Sequence, residues 1–330
     1  MLARRGGLAV RIQSRALPPT APERQRSGVR PPTAPDRRQS GALPPTVERI
    51  ALVHGFTQTS ASWHQSADLL AGGFDVVRMD LPGHGGSDHV RLDFADTSTA
   101  VGEAAGRAVY IGYSLGGRLA LRLALEQPSL IKALVLVGAS PGIADARDRS
   151  ARLAADEALA GDIESCGTRA FLNTWLAQPM FNGLTPTPID MAGRLGNTPT
   201  GLAWALRSLG PGAQDPLWEY LGDLAMPVLL VAGGQDSKAI LTCERMAGSI
   251  GGNAQVAVMP GTSHAPHLQQ AKPFCQMVWR FLHPRPSRAK AANRSGSGTG
   301  IRNVNRPPVA TSGSATTSGP RWLTPPRPHA

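Results

Sequence analysis

The chain has 330 residues and a mass of 34.6 kDa, which is enough for one large domain with a sizeable hydrophobic core. Its formal net charge of +11 first suggests a nucleic-acid or membrane-surface partner, but the two ends of the chain contribute +7 and +8. Since residues 48–283 therefore carry a net −4, the charge gives no reason to expect that the core of the protein binds nucleic acid.

Residues 1–47 and 284–330 are rich in proline and arginine and poor in aliphatic residues, a composition that predicts disordered tails. The first tail contains the near-repeat PPTAPERQRSGVR and PPTAPDRRQSGAL. Such a tail could also contact nucleic acid or lipid, act as an organelle transit peptide, or be coding sequence upstream of the true start. The sequence shows neither the apolar segment of a secretory signal nor the roughly 18 apolar residues of a membrane span.

The three cysteines are far apart and odd in number, and they lack CxxC spacing. This pattern excludes a disulfide framework, argues against a zinc site and fits a reducing cytoplasm.

Between the tails, short apolar runs alternate with helical stretches. The predicted strands are Ile50–Val53, Phe74–Met79, Ala108–Ile111, Ala133–Val137, Val228–Ala232 and Val256–Met259. The predicted helices are 61–71, 115–127, 237–248 and 270–282. Continuously apolar strands are typical of parallel strands buried on both faces, so we expect an α/β fold with one mostly parallel sheet flanked by helices. Residues 141–225 offer no strand and predict a helical lid inserted over the strand ends.

The segment Gly112-Tyr113-Ser114-Leu115-Gly116 fits the G-x-S-x-G nucleophile elbow. A strand is predicted just before it and a helix just after it, which is the context that this turn needs. Ser114 is therefore the candidate nucleophile or base.

A carboxylate and a histidine follow in the chain order that this kind of triad uses. Asp236 follows one predicted strand and His264 follows the next. Two alternatives stay open: His267 competes with His264, and Asp236 could simply cap the helix that follows it. For the oxyanion hole we expect the backbone N–H groups of Phe56 and Leu115.

The motifs HGF, DLPGHGGS and GYSLGGR, followed by the aspartate and the histidine, resemble the α/β-hydrolase superfamily over about 235 residues. GYSLGGR, PGI before an arginine-rich helix, WLAQPMF and QDSK are similar to one of its families, the 2-succinyl-6-hydroxy-2,4-cyclohexadiene-1-carboxylate synthases. The resemblance implies an α/β-hydrolase fold and a lyase of menaquinone biosynthesis that eliminates pyruvate, with the triad Ser114, Asp236 and His264 as a proton-abstracting base. It implies neither metal nor organic cofactor.

The same resemblance implies six residues that bind a small polycarboxylate substrate: Tyr113, Arg118, Arg152, Trp175, Phe181 and Arg194. Arginines suit such a substrate because a guanidinium can hold a carboxylate through two parallel hydrogen bonds. Each arginine could instead be a solvated surface charge.

Two other functions remain open from the sequence. The first is a serine esterase or thioesterase that uses the same triad covalently. The second is a binding module without catalysis, which the intact triad order disfavours. The sequence leaves the oligomeric state open.

Overall fold

The structure, a computed structural model, describes residues 2–5, 8–15 and 48–284. Within these residues, eight strands form one sheet. Their bounds are β1 Leu2–Arg5, β2 Leu8–Arg15, β3 Arg49–Val53, β4 Asp75–Asp80, β5 Ala108–Tyr113, β6 Ile131–Val137, β7 Val228–Gly233 and β8 Ala254–Met259. The six strands predicted from the sequence are confirmed as β3 to β8.

The strand order is β1-β2-β4-β3-β5-β6-β7-β8, and β3 to β8 are mutually parallel. The central strand β3 pairs with β4 on one side and with β5 on the other. Because the strands are parallel, their carboxyl ends meet at one edge of the sheet, and ligand sites of open α/β sheets lie there.

The first two strands differ from the prediction that residues 1–47 form one disordered tail. β1 pairs antiparallel with β2, and β2 pairs antiparallel with β4. The sequence of β2, LAVRIQSR, places Leu8, Val10 and Ile12 at alternate positions, a strand signal that the proline-rich composition obscured. Residues 16–47 and 285–330, on which the rest of the tail predictions fall, lie outside the described residues.

The described helices are α1 His64–Leu70, α2 Phe94–Ala105, α3 Leu115–Glu126, α4 Ala146–Leu176, α5 Pro188–Leu195, α6 Pro199–Leu209, α7 Ser237–Ile250, α8 Pro266–Gln269 and α9 Ala271–Leu282. Helix α2 was not predicted because its sequence, FADTSTAVGEAA, contains few large apolar residues. Its first turn is capped by Asp93, whose carboxylate accepts the N–H of Asp96 at 2.8 Å.

Helices cover both faces of the sheet, which explains why the central strands β5 and β7, and β6 from Ala133 onward, are continuously apolar. In β3, Ala51 and Val53 pack in a cluster with residues of α2, α3 and α7. Ile50 and Leu52 face the opposite way and pack in a cluster with residues of α1 and α9.

Residues 141–225, which the sequence predicts to be a lid and which we call the lid, contain helices and no strand. Helix α4 is broken at Gly167, which has φ 80° and ψ 162° and so lies outside the helical region. The lid has an apolar core of its own, formed between α4 and α6 by Ala160, Ile163, Phe171, Leu202, Ala203 and Leu206.

Candidate active site

Ser114 lies in a strained turn between β5 and α3. Its φ of 48° and ψ of −109° are unusual for a residue with a side chain, and such a conformation costs on the order of 1–3 kcal/mol. A side chain at Gly112 would lie 2.5 Å from the carbonyl oxygen of Gly116, and one at Gly116 would collide with the carbonyl oxygen of Val53. The turn therefore needs both glycines, and it presents Ser114 at the N-terminus of α3.

Asp236 and His264 form a hydrogen-bonded pair beyond the ends of β7 and β8. The distance from His264 Nδ1 to Asp236 Oδ2 is 2.6 Å. Since a carboxylate only accepts hydrogen bonds, Nδ1 of His264 carries a proton and donates it in this contact. Asp236 Oδ1 also accepts the N–H of Ala239 at 3.0 Å, so the helix cap and the histidine contact, considered as alternatives from the sequence, occur together.

The environment of Asp236 keeps its carboxylate ionised. Burial by itself raises the pKa of Asp236. The hydrogen bond and charge of His264, the N–H of Ala239 and the charge of Lys238 outweigh burial and bring this pKa below its ordinary value. An ionised Asp236 can orient the His264 ring and stabilise it when it takes up a proton.

The end of β6 brings Ser114 and His264 to the same place. The N–H of Ser114 donates to the carbonyl of Val137 at 2.9 Å. A side chain at the next residue, Gly138, would lie 3.0 Å from Cε1 of His264. The rings of Tyr113 and His264 are 5.5 Å apart, so the histidine packs beside the strand end that carries the serine.

His267, the competing histidine, lies in a different environment. Its ring is fully buried between Trp63 and Tyr113, with both ring centroids 4.4 Å away. Burial, followed by the charges of Arg194 and His264, lowers the pKa of His267 well below its ordinary value. Within the described residues neither of its ring nitrogens has a hydrogen-bond partner. The carboxylate contact identifies His264 as the histidine of the candidate triad.

The two predicted oxyanion donors belong to segments that adjoin Ser114. Leu115 is the first residue of α3, where backbone N–H groups have no acceptor within the helix. Phe56 lies in the loop of residues 54–58 that follows β3, which we call the oxyanion loop. A side chain at Gly55 would lie 2.6 Å from the Tyr113 ring and 3.5 Å from Cβ of Ser114, so this loop packs directly against the serine turn.

The loop that follows β4 supports the oxyanion loop. His54 Nδ1 donates to the carbonyl of Gly55 at 2.8 Å, and its Nε2 accepts the N–H of Leu81 at 3.0 Å. Asp80 accepts the N–H groups of Ser60 and Gly86 at 2.7 and 2.9 Å. These contacts give the DLPGHGGS segment a structural role beside the oxyanion loop.

Aromatic rings connect the oxyanion loop to His264 across the lid. Trp175 lies 5.4 Å from Phe56 and 5.9 Å from Phe181, and Phe181 lies 6.2 Å from His264, all between ring centroids. Phe171, which the sequence analysis did not single out, stacks on Trp175 at 5.6 Å. Its position one helical turn before Trp175 was the signal that could have found it.

Arg118 and Arg152 share one positively charged region with Lys238. Arg118 is buried, and its Nη1 and Nη2 donate to Gln214 Oε1 at 2.8 Å and to the carbonyl of Leu209 at 2.6 Å. Burial and then the charge of Arg152 lower the pKa of Arg118 to about 9. Burial and then the same arginine also lower the pKa of Lys238. Lys238 lies in the QDSK motif, whose sequence context assigned it no role of its own.

Arg152 and Arg194 each have a carboxylate partner on their own helix. Arg152 Nε donates to Asp156 at 2.7 Å, and Arg194 Nε donates to Asp190 at 3.0 Å. Arg194 also donates to Thr57 of the oxyanion loop at 2.6 Å, so it lies at a different part of the site from Arg118.

The described part of the chain contains neither a cluster of metal-ligating side chains nor a membrane-spanning helix. No three or more His, Cys, Asp or Glu side chains there are grouped so that they could hold a metal ion. No helix in that part has the length and apolar character needed to cross a membrane.

Comparison with known proteins gives consistent matches. Residues 50–277 match the model of the alpha/beta hydrolase family. A Bacillus subtilis (strain 168) protein provisionally named a 2-succinyl-6-hydroxy-2,4-cyclohexadiene-1-carboxylate synthase is 30% identical over 71% of this chain and 90% of its own length. The pimeloyl-[acyl-carrier protein] methyl ester esterase of Vibrio atlanticus (strain LGP32) is 26% identical over 70% of this chain and 93% of its own length. The solved structure of MenH from S. aureus has a TM-score of 0.67 and 29% identity, and covers 72% of this chain and 94% of that chain.

Proposed function

This chain belongs to the alpha/beta hydrolase family, as its fold and motifs predicted, and on that premise we propose that it is a carbon–oxygen lyase of menaquinone biosynthesis. Its substrate is 2-succinyl-5-enolpyruvyl-6-hydroxy-3-cyclohexene-1-carboxylate, and its products are pyruvate and 2-succinyl-6-hydroxy-2,4-cyclohexadiene-1-carboxylate. The relative from Bacillus subtilis carries the name of that activity and is matched over nine-tenths of its length.

The observation that carries the proposal is the buried cation beside the candidate nucleophile. Arg118 lies one turn along α3 from Ser114, and the two acceptors of its terminal nitrogens are neutral groups. With a pKa of about 9 it remains positively charged at neutral pH. A buried cation costs free energy unless negative charge compensates it. Asp156, whose charge raises the pKa of Arg118, is itself bonded to Arg152, and a polycarboxylate substrate supplies further negative groups. A neutral ester would not.

In the proposed reaction Ser114 Oγ removes a ring proton from the substrate, and His264 Nε2 takes up the hydroxyl proton. Asp236 orients His264 and stabilises its positive charge, as the 2.6 Å contact allows. The electron pair of the broken C–H bond forms one ring double bond, the existing ring double bond shifts by one position towards the carbon that bears the enolpyruvyl group, and the bond from that carbon to the enolpyruvyl oxygen breaks. The pyruvate enolate leaves and takes up a proton, so that no acyl-enzyme forms.

Charge that develops on the substrate during proton removal needs hydrogen-bond donors and cations. We assign the N–H groups of Phe56 and Leu115 to this role. Arg118 and Arg152, together with Lys238, hold substrate carboxylates. We assign Tyr113, Trp175 and Phe181 to the apolar side of the substrate site, where their rings would exclude water.

A serine esterase is the second candidate, because one relative that is matched over 93% of its length is named as a methyl ester esterase. An esterase would use Ser114 as a covalent nucleophile. The charged region around Arg118 disfavours a neutral ester as the main substrate.

One experiment distinguishes the two reactions. Purified enzyme is given the enolpyruvyl substrate while pyruvate is measured, and separately a chromogenic short ester in stopped flow. A lyase releases pyruvate and turns the ester over very slowly without a burst. Efficient ester hydrolysis with a pre-steady-state burst and no pyruvate would reject the lyase in favour of the esterase.

We also propose a reducing cytoplasm as the site of the reaction. Cys166, Cys243 and Cys275 are all free thiols, and they are the three cysteines of the sequence. The binding partner that we propose is the small anionic substrate described above, and not a nucleic acid.

A further inference from the structure

We propose that Arg194 is a positioning residue that holds the oxyanion loop through Thr57, so that the loop is in place only when lid helix α5 is seated. The inference rests on the proposed use of the Phe56 N–H as an oxyanion donor. Sequence resemblance had suggested that Arg194 binds the substrate; its contacts point to this other role.

Thr57 is held in a conformation that it would not adopt by itself. Its φ of 67° lies in the left-handed region, which is unfavourable for a β-branched residue, and its side chain is fully buried. It directly follows Phe56, so the Phe56 N–H lies one peptide unit before this strained residue, and fixing Thr57 restrains the short segment that carries the donor. Contacts from outside the loop must supply the free energy that keeps it there.

Both of the contacts that do so come from the lid. Arg194 Nη1 donates to Thr57 Oγ1 at 2.6 Å, and Asn197 Nδ2 donates to the Thr57 carbonyl at 2.8 Å. The side chain and the main chain of Thr57 are thus held by two residues at the end of one helix, α5.

Arg194 is itself fixed and buried. Its Nε donates to Asp190 Oδ2 at 3.0 Å, and both side chains are 2% exposed. Asp190 accepts a further hydrogen bond from Ser62 Oγ. Asn197 Oδ1 accepts the N–H of Gly85 at 2.8 Å. Helix α5 is therefore tied to two loops at the carboxyl ends of the strands, and the Arg194 guanidinium has one orientation.

This arrangement predicts which kinetic constant changes when Arg194 is replaced. A residue that binds a substrate carboxylate changes KM when it is altered, whereas a residue that aligns an oxyanion donor changes kcat. Because Arg194 and Thr57 act through one hydrogen bond, removing either partner has the same consequence, and removing both adds little.

The test is a double-mutant cycle with Arg194→Lys and Thr57→Val. Lysine keeps the positive charge beside Asp190, and valine keeps the β-branched shape of threonine but removes the acceptor. We expect each single change to lower kcat about tenfold with KM within about twofold, since a displaced oxyanion donor loses part of its effect. The double variant should be no slower than about twice the worse single one. Thr57→Ser, which keeps the hydroxyl, should retain most of the wild-type kcat.

Arg207→Lys is the matched control, because Arg207 is also a lid arginine, paired with Glu157 and Glu164 away from the oxyanion loop. Its kcat should be that of the wild type. If Arg194→Lys raises KM at unchanged kcat, and its effect multiplies with that of Thr57→Val, the arginine contacts the substrate and the inference is wrong.

A readout without catalysis separates this inference from the proposed function. Hydrogen–deuterium exchange of the peptide containing residues 54–58 should be faster in both single variants and unchanged in Arg207→Lys. The cycle can be measured on pyruvate release or on ester hydrolysis, whichever the wild type catalyses. If the wild-type enzyme releases no pyruvate, the proposed function is wrong. If the hydrogen–deuterium exchange of residues 54–58 is unchanged in both single variants, the inference about Arg194 is wrong.

Discussion

The backbone N–H of His264 donates to the carbonyl of Met180 at 3.0 Å, so the histidine of the candidate triad is bonded directly to the lid. A side chain makes a second connection at the same place. Gln269 Oε1 accepts the N–H and the hydroxyl of Ser263 at 2.7 and 2.9 Å, and its Nε2 donates to the carbonyl of Asn182 at 3.2 Å. The turn that carries His264 is thus held between the lid and α8.

Replacing Gln269 with leucine should loosen this turn. The variant loses three hydrogen bonds and leaves the buried N–H of Ser263 without its acceptor, which costs about 1–3 kcal/mol of unfolding free energy. We expect kcat to fall about tenfold, because His264 is then less well aligned. Gln270→Leu is the control, since the Gln270 amide donates to the carbonyl of Pro260. Equal losses in the two variants, measured by urea unfolding and steady-state kinetics, would contradict the prediction.

Arg118→Ala tests the recognition of an anionic substrate. Removing a charge-assisted contact of roughly 1.5–3 kcal/mol should lower kcat/KM for elimination about ten- to hundredfold. Arg118→Lys should recover only part, because an ammonium cannot hold a carboxylate through two parallel bonds. Hydrolysis of a neutral ester should change little.

The control for Arg118 is Arg122→Ala, one turn further along α3, where Arg122 pairs with Glu126 at 2.7 Å. Both kinetic constants of the control should match the wild type on the acid substrate and on the ester. If Arg118→Ala leaves elimination untouched, or harms both substrates equally, Arg118 has a structural role through Gln214 and Leu209.

The parts of the fold that follow from local patterns were predictable. Six apolar runs became the parallel strands, and the order of Ser114, Asp236 and His264 gave the pair now seen at 2.6 Å. The alternation in LAVRIQSR was an available signal for β2 that was missed because the surrounding segment is rich in proline and arginine.

Contacts between distant segments were not predictable. Arg194 is 137 positions from Thr57, and Gln269 is 87 positions from Asn182. No spacing rule relates residues so far apart, because their meeting depends on how the lid is seated on the sheet. The positive φ of Thr57 likewise has no local signature, since threonine disfavours that conformation and tertiary contacts impose it.

The N-terminal strands give a third prediction. A chain that begins at Glu48 lacks β2 and exposes the outer edge of β4 from Val76 to Asp80. An open edge can pair with another chain, so we expect increased self-association in light scattering. Pyruvate release per folded molecule should be retained, because the candidate triad lies within residues 48–283. A loss of more than about half the activity in a monomeric sample would show that β1 and β2 support the site.

The buried histidine His84 gives a prediction about pH. Burial, followed by the nearby His54, lowers the pKa of His84 from 6.5 to about 3. Between these two pH values the unfolded chain takes up a proton that the folded protein refuses, so the unfolding free energy falls as the pH drops below 6.5. The slope for one such proton is about 1.4 kcal/mol per pH unit, which amounts to several kcal/mol by pH 4.

His84→Asn should remove that slope while keeping the donor to the Pro82 carbonyl, which His84 Nδ1 contacts at 3.0 Å. Unfolding free energies should be measured in urea at pH 7, 6, 5 and 4. Below pH 6.5 the free energy of the variant should fall less steeply than that of the wild type, by about 1.4 kcal/mol per pH unit. Part of the slope remains, because burial also lowers the pKa of His54. The exposed His89, changed to asparagine, should leave the wild-type slope intact. If wild type and His84→Asn lose stability in parallel, His84 is not neutral in the folded protein. The Nε2 of this buried ring, which has no hydrogen-bond partner among the described residues, must then bind a proton and a partner.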